Sequence, residues 1–241
     1  VVADNKSEPS EAANAMTKLL TQDKVVAVTG TFSSSNAIAA ASVAEANKSP
    51  YLVAGATNPK VTVDEKTKNV KKYIYRVCFI DPFQGTVAAN FAAKDLKVKK
   101  AAMLVDNSSD YSKGLAEFFE AALVKEGGEI VANEAYLQKD TDFKATLTKI
   151  KSKGAEVLYV PGYYEEVGKI VKQAREMGIT VPIIGADGWD SPKLVEIASA
   201  AALNNTYFTN HYSVEDTSPK AQAFVEAYTK EYGQKPEALA V

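Results

Sequence analysis

The sequence predicts a parallel α/β protein of two similarly built lobes, and three observations carry that prediction. Short β-rich apolar runs alternate with longer amphipathic ones along the chain. The segment Val2-Ala3-Asp4-Asn5-Lys6-Ser7 looks like Leu104-Val105-Asp106-Asn107-Ser108-Ser109, each an apolar run passing into Asp-Asn ahead of a helical pattern. A length of 241 residues suits one large domain or two lobes and is ample for a buried core.

From the N-terminus, residues 1–3 read as the end of a strand, 4–9 as a polar turn and 10–22 as a helix. In that helix Ala13, Met16, Leu19 and Leu20 recur at helical spacing. Further strands read at 25–29, 51–54, 73–79, 101–105, 129–136, 157–160, 181–184 and 206–209. Helices read between them at 35–47, 84–95, 112–125, 142–152, 165–177, 192–200 and 219–232. Gly127-Gly128 and Gly178 close helical patterns where a positive φ is needed. A boundary near Ile80-Asp81-Pro82 and a polar return across 210–216 define the lobes. The first holds 1–80 with 217–241, the second 83–209, and the crossings are 81–82 and 210–216.

Composition narrows the function. Hydrophobic content of 46% with 24% charged residues is that of an ordinary soluble globule. A net charge of −2 leaves no electrostatic footprint for nucleic acid. Arg76 and Arg175 are the only arginines, which argues against sites built on forked guanidinium recognition of phosphate. No apolar run approaches the ~18–20 residues needed to cross a bilayer. The lone Cys78 lies in an apolar run and reads as a small buried hydrophobe, with no internal disulfide to make. His211 is the only histidine, which excludes multi-His metal sites, and a surface or capping role is its default.

In open parallel sheets, ligands bind beyond the carboxyl ends of the strands. Residues 25–29 lead through Gly30 to Phe32, Ser33, Ser34 and Ser35, placing hydroxyls at a helix N-terminus. Such a terminus carries about half a positive charge and unpaired N–H donors, so it attracts carboxylates. After the other strands come Gly55-Ala56-Thr57, residues 106–111, Gly162-Tyr163-Tyr164 and Gly185-Ala186-Asp187-Gly188-Trp189-Asp190. Each piece also has a plain structural role: a Ser N-cap, a turn at Asp187-Gly188, a Pro-led helix start after Asp190-Ser191, ordinary packing of Tyr163. As a set they fit a zwitterion, with the ligand carboxylate on Ser34 and the helix N-terminus. The ammonium would meet a carboxylate such as Asp187, and aromatic rings would cover the remainder.

Taken in order, residues 4–9, the serine cluster at 30–36, Ala54-Gly55-Ala56-Thr57, Asp110-Tyr111-Ser112-Lys113-Gly114, Gly162-Tyr163-Tyr164 and residues 185–190 resemble the leucine/isoleucine/valine-binding family. These are type I periplasmic solute-binding proteins of amino-acid ABC transporters. The resemblance implies two Rossmann-like lobes with parallel sheets, joined by a hinge with three crossings and closing on a ligand. It places the carboxylate-binding serine on Ser34, beside Ser33. The backbone contact and the threonine shared by carboxylate and ammonium fall on Gly55 and Thr57. The tyrosine reaching in from the second lobe falls on Tyr111, the tyrosine flanking the ligand on Tyr163, and the ammonium partner on Asp187. Leucine-binding members carry Glu at that last position, so the depth of the pocket differs. Phe32 and Trp189 add bulk near the ligand side chain and weigh against a strictly aliphatic preference. The resemblance further implies a partial chain, with the family's first strand and helix and its third crossing outside it.

The function so implied is extracytoplasmic capture of an amino acid between two lobes and its delivery to a membrane permease, with no catalytic residue, metal or cofactor. The protein would be periplasmic or a membrane-anchored lipoprotein, its export signal outside this sequence. A ligand-sensing domain on the same scaffold would have identical binding chemistry and a different output. An α/β hydrolase would need a base near a serine. His211 is the sole histidine for that role, and no Gly-x-Ser-x-Gly elbow or Gly-x-x-x-x-Gly-Lys loop is present. Loop carboxylates such as Asp106, Asp110 and Glu165 leave a Ca²⁺ site open, without a recognisable spacing.

Overall fold

The computed structural model describes residues 1–237 and 240. The chain divides into two compact units, Val1–Phe83 with Ser109–Leu115, and Gln84–Ser108 with Ala116–Val241.

The first unit holds a three-stranded parallel sheet in the order β1 (Val28–Gly30), β2 (Tyr51–Val53), β3 (Ile74–Arg76). Val28 lies opposite Tyr51, and Tyr51 opposite Ile74. Helices α1 (Pro9–Thr21) and α2 (Ser34–Ala46) supply its core. Ala12, Met16 and Leu19 line one face of α1; Ala37, Ala40, Ala41 and Ala44 line one face of α2 at i, i+3, i+4, i+7. Alanines on that face let the helix approach Tyr51 and Val53 closely in one cluster.

The second unit holds five parallel strands in the order β5-β4-β6-β7-β8. These are β4 (Lys100–Asp106), β5 (Glu129–Tyr136), β6 (Val157–Tyr159), β7 (Ile183–Gly185) and β8 (Thr206–Phe208). The order reverses at β4, which pairs with β5 on one side and β6 on the other. Strands β6 and β7 are buried along their whole length, as expected of strands covered by helices on both faces. Its helices are α5 (Lys144–Lys151), α6 (Tyr164–Glu176), α7 (Pro192–Ala198) and α8 (Pro219–Tyr232), with the greater part of α3 (Asp81–Asn90) and of α4 (Asp110–Lys125), whose first residues fall in the first unit. A turn of π-helix, Phe91–Asp95, extends α3.

The two parallel sheets are those the sequence predicts, and the departures have local causes. Residues 1–3 form no strand; Val1 and Val2 are 85% and 98% exposed. The first strand shifts from 25–29 to Val28–Gly30, and the third shrinks from 73–79 to Ile74–Arg76. Helix α3 begins at Asp81 rather than 84, because proline at Pro82 is tolerated in a first turn. The expected crossing at 81–82 is therefore helical. Cys78 is half-buried, outside the core, because it lies beyond the paired part of β3.

Residues 109–115, read from the sequence as part of the second lobe, group with the first unit. Asp110 explains this. Its backbone N–H donates to Ser35 Oγ at 2.9 Å, and its carbonyl accepts from Asn58 Nδ2 at 2.7 Å. Residues 217–237, read as part of the first lobe, group with the second unit. There Gln234, Lys235 and Pro236 line the same recess as Asp190, Phe208 and Asn210. Residues 238, 239 and 241 of that stretch lie outside the described residues.

Candidate functional site

In the first unit, β1 turns into α2 through two residues in the left-handed region, Gly30 (φ 127°) and Thr31 (φ 64°). A β-branched residue there is uncommon and strained. Ser33 then caps α2 without a side-chain hydrogen bond to its N–H groups. The first-turn donors have no intrahelical acceptor, so the dipole end is presented to an external acceptor. Ser34, the first helical residue, is 1% exposed, and its Oγ accepts from Asn58 N–H at 3.3 Å.

That bond ties α2 to the loop after β2, which carries Gly55 and Thr57. Phe32 lies over Gly55 so closely that a Cβ at Gly55 would fall 2.3 Å from its ring. Thr57 is 1% exposed, and among the described residues its Oγ1 has no hydrogen-bond partner. A buried hydroxyl left this way costs free energy until an acceptor or donor reaches it. The loop is held by Arg76, whose Nη1 donates to the Ala56 and Asn58 carbonyls at 2.9 and 2.7 Å, and Nη2 to Thr62 Oγ1 at 3.1 Å. Burial pushes that guanidinium below its usual range. Tyr111, in the first turn of α4, is buried in this unit. Phe32, Ser33, Ser34, Gly55, Thr57 and Tyr111 thus all belong to the first unit.

Tyr163, Asp187 and Trp189 belong to the second unit. Tyr163 is the half-buried N-cap of α6, beside the point where strand order reverses. Asp187 follows β7 and is 3% exposed; its Oδ1 accepts from Gln84 Nε2 at 2.9 Å. The structure places Trp189 in the core, 1% exposed. Its indole lies against Gly185 and donates to the Val160 carbonyl at 3.0 Å. Sequence reasoning missed Gln84 and the Arg76 clamp, since both act on residues remote in the chain.

Near Tyr163, Tyr136 closes β5 with a buried hydroxyl that has no hydrogen-bond partner among the described residues. Burial first, then the Asp106 and Glu166 carboxylates, push its phenol well above the usual range. The unfolded chain ionises this tyrosine near pH 10. The folded form holds it neutral, so its stabilising contribution is complete below about pH 10 and is lost as pH rises further. Tyr136→Phe is expected to leave neutral-pH stability within about 0.5 kcal/mol and to flatten the alkaline limb of a Tm-against-pH curve. An unchanged alkaline limb would contradict this.

Among the described residues, no three His, Cys, Asp or Glu side chains are placed to share a metal ion. Asp110 accepts from Ser35 Oγ at 3.2 Å and pairs with Lys113 at 3.4 Å, while Asp106 accepts from Ser108. His211 is exposed. Among the described residues no helix is long and apolar enough to cross a membrane.

The fold has known counterparts. The leucine binding protein LivK of Thermotoga maritima is 39% identical and superposes with a TM-score of 0.93 over 100% of this chain and 67% of its own. LivJ of Streptococcus pneumoniae, a branched-chain amino acid transporter substrate binding protein solved with isoleucine, is 41% identical, with a TM-score of 0.89 over the same shares. An amino acid binding protein of Pseudomonas aeruginosa is 36% identical over 82% of this chain. The chain spans about half of that relative's length, 51%. The family described as periplasmic binding protein matches residues 1–241. With both parallel sheets in place and the match running from end to end, the chain belongs to the periplasmic binding protein family.

Proposed function

We propose that this chain forms the ligand-holding part of an extracytoplasmic solute-binding protein that takes up a free α-amino acid, in the first instance a branched-chain one, and delivers it to the permease of an ABC transporter. The observation that carries the reading is the buried Thr57 hydroxyl, without a hydrogen-bond partner among the described residues, next to Asn58, whose N–H reaches Ser34 at the start of α2, where Ser33 makes no side-chain capping bond. That combination suits a carboxylate, with N–H donors, a hydroxyl and the positive end of a helix dipole. For a ligand ammonium the reading assigns the buried Asp187 carboxylate of the second unit, with Tyr163 of the same unit as the flanking ring. One relative named for leucine binding and another solved with isoleucine support a ligand with an apolar side chain. Binding of this kind requires no bond to be made or broken, so the protein acts without chemistry on its ligand.

A thermal-shift panel of the common amino acids and related small carboxylates tests the reading. Ligand at ~100 times its Kd adds about 2.7 kcal/mol of stability. Stabilisation by L-leucine, L-isoleucine or L-valine is expected. A response only to carboxylates without an ammonium would keep the anion end and remove Asp187 as the ammonium partner.

A further inference from the structure

We propose that Gln84 is the positioning residue for Asp187, setting its carboxylate in the orientation that receives a ligand ammonium; the inference rests on the amino-acid reading above. Gln84 lies in the first turns of α3 and is 1% exposed. Although 103 residues away in sequence, it grips Asp187 at two points. Its Nε2 donates to Asp187 Oδ1 at 2.9 Å, and its Oε1 accepts the Asp187 backbone N–H at 2.9 Å. A third contact comes from Thr209, just beyond β8, whose hydroxyl donates to the same Oε1 at 2.6 Å.

The chemistry of these contacts determines which way the amide faces. A backbone N–H only donates, so the oxygen end of Gln84 must meet it, and the nitrogen end then meets the carboxylate. One side chain therefore ties the backbone and the side chain of the same aspartate together. It does so from a neutral group. A lysine or arginine in this place could donate to the carboxylate but has no acceptor for the Asp187 N–H, and it would bring a positive charge to the place where an ammonium is to bind. An amide orients the carboxylate without itself supplying a counter-charge. The cost of ordering the aspartate is met before the ligand arrives, which is what preorganised recognition requires. Thr209 extends the same logic by holding the amide itself, from the strand next to β7.

The test is a double-mutant cycle on the intact protein, with L-leucine as the probe and calorimetric titration carried to millimolar concentration. Gln84→Met keeps the length of the side chain and removes both polar ends; it is expected to weaken L-leucine binding by about tenfold. Asp187→Asn is expected to weaken it more. If Gln84 acts through Asp187, the double variant binds within about twofold of Asp187→Asn alone. A double variant weaker by the full Gln84→Met factor would make Gln84 a general structural residue and overturn the proposal, with the amino-acid reading intact. So would a Gln84→Met protein that binds like the wild type. Asp187→Asn without effect would instead overturn the ammonium reading, and the proposal with it. Should Gln84→Met fail to fold, Thr209→Val in the same cycle removes only the outer hydrogen bond. A loss of about threefold, absent in the Asp187→Asn background, is then expected.

Discussion

Asp187→Ala is expected to lower the affinity for L-leucine by about a hundredfold or more, while Glu166→Ala changes it by less than about threefold. Both carboxylates are buried, at 3% and 4% exposure, so burial alone does not separate them. Their partners do. Glu166 sits in the first turn of α6 and accepts the Lys139 backbone N–H at 2.9 Å, a contact that secures the loop after β5. Asp187 follows β7 and is oriented by the Gln84 amide. Removing one member of a buried charge pair costs about 2–5 kcal/mol, because the other charge is left desolvated and alone. Calorimetric titration of the two variants decides the matter. Equal losses would mean that Asp187 is not the ammonium partner.

Gly185→Ala is expected to destabilise the second unit by about 3 kcal/mol or more, as an overpacked core position. A Cβ at Gly185 would fall 2.0 Å from Trp189 Cε2 and 2.3 Å from its Nε1. The indole has nowhere near to go. It is 1% exposed, donates to the Val160 carbonyl and stacks against Phe208 with ring centroids 6.3 Å apart. Moving it opens that hydrogen bond and disturbs the turn Asp187–Trp189 that carries the aspartate. A loss of this size corresponds to a Tm lower by about 6–12 °C for a chain of this length. Trp189 is the only tryptophan, so its fluorescence reports the unfolding of this unit directly. An unchanged Tm would show that the indole can be accommodated elsewhere.

The loops after β1, β2, β6 and β7 were legible because a parallel sheet sends every strand's carboxyl end the same way, and polar clusters there stand out from apolar runs. Trp189 was legible as a residue of the Asp187 loop, with bulk assigned to the ligand side. Its actual place, with the ring over Gly185 and its N–H on Val160, depends on how the loop after β7 folds back on its own strand. The family resemblance puts Tyr111 in the second lobe, whereas the Ser35–Asp110 and Asn58–Asp110 contacts draw its turn into the first unit.

The sequence by itself determined the alternation of strands and helices, the parallel character of both sheets and the residue types available at their carboxyl ends. Hydrophobic periodicity and capping chemistry act over a few residues, and so they can be read along the chain. Only the tertiary structure decided the strand order β5-β4-β6-β7-β8, the Arg76 grip on the Thr57 loop and the Gln84–Asp187–Thr209 network. Those hydrogen bonds join residues 18, 103 and 125 positions apart. Nothing local selects such partners; they meet because packing of the strands brings their ends together, and burial then makes an unsatisfied polar group too costly to leave.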